Sequence, residues 1–233
     1  MNRFYPKLIL ILFLLLNSCF YNTTQNKSKF LEKHDFVETI ETNQFPKIGL
    51  WLLDSNMNPA KWLGQKSRDK TLKEPINLII IDKISKTYDE AINKLEQDCK
   101  VSGFDKKIGH SSGYLAKIGN RVYNQLPREA RTCFSDNDFW QSNNHGRIFG
   151  AEKFNDAYFF VGAFSKESFN PKFGVQHDYI SFNKARNKFA INMHKYSNYK
   201  IKGRVFLGNK SSYTQDFTTG DHDGFALVLE KEY

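Results

Sequence analysis

Apolar and polar positions along this chain fall into patterns that separate strands from helices. Residues 8–16 are one unbroken apolar run, too short to cross a bilayer core of ~30 Å. Residues 48–53, bounded by Pro46 and by Asp54-Ser55-Asn56, read as a strand, and 56–73 as a loop or a short helical turn. The clearest strand is 75–82 (Pro-Ile-Asn-Leu-Ile-Ile-Ile-Asp). Its apolar positions are continuous rather than alternating, which predicts burial on both faces. A helix follows: Thr87 and Glu90 stand at capping-box spacing, Tyr88, Ala91, Ile92, Leu95 and Cys99 recur at helical intervals, and Gly103 supplies a stop. A second helix is predicted over 113–126, with Leu115, Ile118, Val122 and Leu126 on one face and Gly119 weakening it.

Residues 127–144 read as a polar loop holding Cys133, Phe134, Phe139 and Trp140. Residues 145–149 and 158–164, separated by a turn near Asn155-Asp156, predict a β-hairpin, and 178–181 a further short strand. Phe182, Ala185, Phe189 and Met193 form one helical stripe, with Asn183 as its expected cap. Residues 202–207 and 225–230 read as closing strands. The pattern predicts an α+β fold: a single domain over 46–233 with a mixed or antiparallel sheet and two to three packed helices.

Directly after the first apolar run stands Leu16-Asn17-Ser18-Cys19, with Arg3 and Lys7 ahead of the run. This resembles the lipobox of bacterial lipoproteins: Leu, any residue, a small residue, then Cys. The resemblance implies a signal peptide over 1–18, fatty-acyl (palmitate) chains on Cys19, a polar tether over 19–45, and membrane lipid as a partner. The expected location is the cell envelope. Phe20 rather than Asp follows Cys19, which by the enteric sorting rule points to the outer rather than the inner membrane of a double-membraned cell.

Composition adds a few exclusions. The chain has 233 residues and is 40% hydrophobic and 15% aromatic, enough for a packed core and unlike a disordered chain. Its net charge of +9 comes without a run of basic residues or a nucleic-acid-binding signature, so no nucleic-acid partner is expected. Beyond Cys19 the cysteines are Cys99 and Cys133. An exported protein could join them, and a buried free thiol suits Cys99 on its helix stripe equally well. No CxxC, HExxH or EF-hand spacing occurs, so no metal or other cofactor is expected, and Gly220-Asp221-His222-Asp223-Gly224 reads as a turn.

Two stretches carry candidate chemistry. Gly109-His110-Ser111-Ser112-Gly113 matches G-x-S-x-G, the nucleophile turn of α/β-hydrolases. The segment before it is a poor buried strand, so Ser111 is a weak nucleophile candidate and a glycine-rich turn the simpler reading. In 145–149 strand alternation puts His145 and Arg147 on one face, where a His and an Arg can grip an anion. His177 and Asp178 follow, and Arg186 falls near the apolar stripe of the last helix, where it needs a partner such as Asp178. The candidate ligand site is His145, Arg147, His177, Asp178 and Arg186, with Gly162 leaving space opposite the strand pair. The competing reading makes the same residues buried ion pairs that fix sheet–helix packing.

Residues 74–80 (Glu-Pro-Ile-Asn-Leu-Ile-Ile), then an Ala-containing helix and Gly103-Phe104, resemble the opening of the LssY C-terminal-like domain. Residues 145–149 are similar to that family's His-x-Arg-Phe segment, 158–163 to its Trp-x-Gly-Ala-Ala strand, and His177 with Arg186 to its His…Arg-Asp helix. The resemblance covers about 74–193. Asn144 stands where a second His is frequent in the family, and Asn187 where Asp often follows the Arg. Some members are fused to membrane phosphatase-like domains, which implies work beside lipid phosphate chemistry. The leading expectation is an envelope lipoprotein that binds an anionic or phosphate-bearing ligand. The alternatives are an ester or phosphate hydrolase, with His145 or His177 as acid/base and Arg147 as charge stabiliser, and a structural or adhesive envelope protein.

Overall fold

The isoleucine-rich run lies in the middle of the sheet. The computed structural model describes residues 29–30, 39–42, 44–170, 176–211 and 216–232; Cys19, the leader and most of the expected tether lie outside them. The elements are β1 (Lys29–Phe30), β2 (Thr39–Thr42), β3 (Phe45–Gly49), β4 (Lys61–Ser67), β5 (Lys70–Lys73), β6 (Leu78–Asp82), α1 (Tyr88–Val101), β7 (Asp105–Ile108), β8 (Leu115–Ile118) and β9 (Arg121–Leu126). They continue with β10 (Thr132–Ser135), β11 (Asn143–Phe154), β12 (Ala157–Asn170), β13 (Gln176–Ser181), α2 (Phe182–Tyr196), β14 (Tyr199–Phe206), β15 (Phe217–Thr218) and β16 (Phe225–Lys231).

The fold is a sheet-dominated α+β arrangement, with two helices among the described residues. The main sheet runs β14-β16-β6-β12-β11-β9-β8-β3-β2, with β13 added to β12, β10 to β11 and β7 to β10. It is antiparallel except where β16 runs parallel to β6. A small second sheet has the order β15-β5-β4.

As the unbroken apolar run predicts, β6 is buried on both faces. Leu78 and Ile80 pack with α1 and α2, whereas Ile79 and Ile81 face Ile48, Ala116, Phe159 and Val161. On α1, Thr87 accepts a hydrogen bond from the Glu90 amide, and Ala91, Ile92, Leu95 and Cys99 are buried. On α2 the stripe of Phe182, Ala185, Phe189 and Met193 is buried as the spacing predicts. Its cap is Ser181, not Asn183: Ser181 Oγ accepts from the Lys184 amide at 2.9 Å, and the Asn183 side chain bonds the Asp221 carbonyl. Cys99 and Cys133 are both free and buried.

Four expectations change. The strand read over 48–53 is β3 at Phe45–Gly49, beyond which Trp51 and Leu53 make isolated bridges. Residues 113–126 form the β8–β9 hairpin rather than a helix. Ile118 pairs with Arg121 around a two-residue turn, in which Gly119 takes a φ of +59° that costs a glycine little. The apolar spacing fits a helical stripe only because two short strands are folded at that turn. Residues 61–73 form the β4–β5 hairpin, turning at Arg68 and Asp69, both at positive φ. The polar loop 127–144 contains β10, paired with β7 and β11.

Candidate functional site

One face of the β11–β12–β13 region changes from apolar to polar along its length. Phe149, Val161 and Ala163 belong to the second core cluster. Farther along, the same alternation presents Arg147, His145 and Asn143 on β11, and Ser165 and Glu167 on β12. Register then sets the neighbours. His145 lies opposite Ser165 and Asn143 opposite Glu167, while β13 places His177 opposite Phe169. Glu167 is therefore the diagonal neighbour of both histidines. His145 Nε2 lies 3.3 Å from Glu167 Oε1, and His177 Nδ1 lies 2.8 Å from Glu167 Oε2. The His177 ring is not aimed at that oxygen, so the contact is close but forms no hydrogen bond.

The roof is the glycine-rich segment 109–113. Gly109 and Gly113 both have positive φ, and a Cβ on Gly109 would lie 2.7 Å from the Phe139 ring. The G-x-S-x-G pattern thus marks a bend that β8 follows, rather than a strand-to-helix nucleophile turn. The bend delivers His110, whose ring lies 4.5 Å from that of His145. Ser111 Oγ contacts Tyr114 Oη at 3.1 Å and accepts from Arg147 at 3.0 Å, so no histidine activates it and the nucleophile role loses its support. Phe139 stacks on His177 at 4.3 Å.

Arg147 donates from Nε and Nη2 to the Ser111 carbonyl and lies over the Tyr114 ring. Among the described residues its Nη1 has Glu74 Oε2, at 3.9 Å, as its charged neighbour. Glu74, His110, His145, Arg147, Glu167 and His177 are all buried, yet the first five line one cleft of about 330 Å³. A larger groove of about 470 Å³ lies elsewhere; its Lys83 and Lys202 are paired with Glu230 and Glu232, and its Arg204 lies over the Phe225 ring.

Burial dominates the electrostatics of the cleft. It raises the Glu74 pKa to about 7, against the pull of Arg147. It lowers that of His110 to about 3, helped by Arg147 and His177, and holds His145 well below the ordinary value. Burial also works against the Arg147 charge, but Glu74 and then Tyr114, Cys133 and Glu167 keep its pKa raised. His110, His145 and Glu167 each present a metal-type donor atom, all within 4.8 Å of one another. No local spacing could have revealed that set, because its members come from three separate segments.

His145, Arg147 and His177 come together, and Asp178 and Arg186 do not join them. Asp178 follows His177 in a strand, so it points to the other side, where it is exposed and accepts from Asn170 at 2.9 Å. Arg186 belongs to α2, which covers the opposite face of the sheet, and it pairs with Asp223. Gly162 lies opposite Ile148 on the helix side, packed against Leu78 and Phe164, and opens no space beside Arg147. Sequence reading missed Glu74, His110, Tyr114 and Glu167. The available signals were the His inside the G-x-S-x-G pattern and the change from Val161 and Ala163 to Ser165 and Glu167 on one strand face. Comparison with family models, curated proteins and solved structures returned no match.

Proposed function

We propose that this chain is a lipid-anchored protein of the bacterial envelope, carrying a single α+β domain whose cleft takes a small phosphate-bearing anion. One observation carries the ligand reading. Ionisable side chains are concentrated and buried around a cleft of about 330 Å³, and Arg147 lines it with an incompletely partnered guanidinium. Buried charges that serve packing alone are held in complete pairs. Perturbed groups converging on a cleft instead fit a ligand site. The anchor rests on Leu16-Asn17-Ser18-Cys19. Apart from Trp62, the cleft residues fall within 74–193, the stretch that resembles the LssY C-terminal-like domain.

A second reading, hydrolysis of ester or phosphate bonds, draws on Glu167 lying between His145 and His177, the imidazole–carboxylate arrangement of acid–base catalysis. Turnover of p-nitrophenyl phosphate or acetate that disappears in His145→Gln would favour it.

Labelling cells with a fatty-acid analogue tests the anchor. Label should enter the wild type and not Cys19→Ser, and label persisting in the mutant refutes the lipoprotein assignment. Outer-membrane sorting predicts recovery there rather than in inner-membrane fractions. Thermal unfolding with and without phosphate tests the cleft. Phosphate should raise the Tm of the wild type and leave that of Arg147→Ala unchanged. No phosphate effect on the wild type removes the anionic ligand.

A further inference from the structure

We propose that His110, His145 and Glu167 bind one first-row divalent transition-metal ion of the Zn²⁺ type. The argument begins at Asn143. Its Nδ2 donates to the Gln141 carbonyl at 2.9 Å, which turns Oδ1 toward His145 Nδ1 at 2.8 Å. An amide oxygen only accepts, so Nδ1 must carry the ring proton. The neutral His145 therefore bears a lone pair at Nε2. That lone pair faces Glu167 Oε1 at 3.3 Å, acceptor against acceptor in a buried setting. Such a contact persists only with positive charge between the two atoms.

A proton or a metal ion could supply that charge, and His110 distinguishes them. Its Nε2 is buried with no hydrogen-bond partner among the described residues. A proton shared by His145 and Glu167 leaves that nitrogen without a partner, at a cost of about 1–3 kcal/mol. A metal ion satisfies all three donors at once. The donor atoms lie within 4.8 Å of one another, and bonds of ~2.0–2.1 Å to one ion require them to close in by about an ångström, within reach of side-chain rotation.

The surroundings match a metal site. Metal-bound histidines donate their second ring nitrogen to an orienting acceptor, the role Asn143 fills here. His177 Nδ1 lies 2.8 Å from Glu167 Oε2, on the far side of the carboxylate, without a hydrogen bond to it. Two imidazoles and one carboxylate are donors of the kind that select Zn²⁺ and its first-row neighbours over Mg²⁺ or Ca²⁺. Three protein ligands leave a coordination position, and all three residues line the cleft, so the position opens toward it. A water or an anionic oxygen could fill that position. The inference shares the cleft with the reading above and does not need its phosphate ligand.

The test uses the full-length protein in detergent, stripped with a chelator and titrated with Zn²⁺ by calorimetry. About one ion should bind per chain. His110→Ala and Glu167→Gln should each weaken binding by about 100-fold or more, and Asn143→Ala by about 10–100-fold, although Asn143 touches no ion. Glu167→Gln keeps the side-chain volume, and its amide can donate to His145 Nε2, so its metal-free Tm should stay at or above that of the wild type. If Glu167→Gln fails to fold, His110→Gln and Asn143→Ala decide. Bound Co²⁺ should give visible absorption that changes in Asn143→Ala. No Zn²⁺ binding by the folded wild type would overturn the proposal and leave a shared proton between His145 and Glu167. Stoichiometric binding unaltered by these substitutions would overturn it equally, by placing the ion elsewhere. Zn²⁺ binding without any phosphate effect would remove only the anionic ligand, and a phosphate effect without Zn²⁺ binding only the metal.

Discussion

Arg147 and Arg186 are both buried, on opposite faces of one sheet, and they are held differently. Arg186 donates to both Asp223 carboxylate oxygens at 2.8 and 3.1 Å, to the Phe225 carbonyl at 2.7 Å and to Asn187 Oδ1 at 3.1 Å. It is a closed bidentate pair that ties α2 to the start of β16. Arg147 has a carbonyl, a hydroxyl and a carboxylate held off at 3.9 Å, and it lines a cleft. Completeness of partnering, more than burial or residue type, separates the cation that closes a helix–strand contact from the one left lining a cleft.

The largest expected effect tests that difference directly. Arg186→Ala should cost about 2–3 kcal/mol in urea unfolding, because it removes charge-assisted hydrogen bonds to the partly exposed Asp223 and to the Phe225 carbonyl and opens a helix–strand contact. Arg147→Ala should cost only about 1–2 kcal/mol, since Glu74 can take up a proton when its cation is gone. Equal losses would make Arg147 a second structural pair and erase the contrast.

The two regions should also titrate over nearly the same pH window with opposite signs. The folded protein holds a proton on Glu74 up to a pH of about 7, whereas the unfolded chain releases it near 4.5. Stability contributed by this group is therefore lost as pH rises from about 4.5 to about 7, by roughly 3 kcal/mol. Near Arg186, burial lowers the His222 pKa from 6.5 to about 4. Its unfolded form takes a proton first, so stability is lost as pH falls through that window. Between about pH 4 and 7, Glu74→Gln should remove the loss of stability that rising pH brings, and His222→Asn the loss that falling pH brings. A pH dependence unchanged in Glu74→Gln would show that Glu74 is ionised in the folded protein.

Packing offers a milder contrast. On the helix side a Cβ at Gly146 would fall 2.4 Å from Phe164 Cγ, so Gly146→Ala should lower stability by about 1–3 kcal/mol through displacement of that ring. On the cleft side, Ser111→Ala removes one hydroxyl contact to Arg147 and should cost about 1 kcal/mol, with any phosphate effect weakened rather than lost. Complete loss of a hydrolytic activity in Ser111→Ala would instead restore Ser111 as a nucleophile.

Much of the frame is legible in the residues alone. The unbroken apolar run of 75–82 needs cover on both sides, and β6 has it. Thr87 and Glu90 announce the start of α1, and the spacing from Phe182 to Met193 announces α2. Alternation in 145–149 is enough to put His145 and Arg147 on one face. These are local properties, governed by where successive side chains point from a strand or a helix. The failures are local too: a stripe at helical spacing in 113–126 folds as two strands because Gly119 permits a tight turn.

The site needed tertiary structure. His145 acquires Glu167 as a neighbour through the register of β11 on β12, and Glu167 acquires His177 through the irregular register of β12 on β13. His110 arrives on a bend held in place by Phe139, and Glu74 from the approach to β6. Register is chosen by the packing of both sheet faces at once, including the fit of Phe164 over Gly146, and that balance is a property of the whole assembly. Side-chain direction is encoded residue by residue, whereas which distant residues meet is decided only when the two cores close.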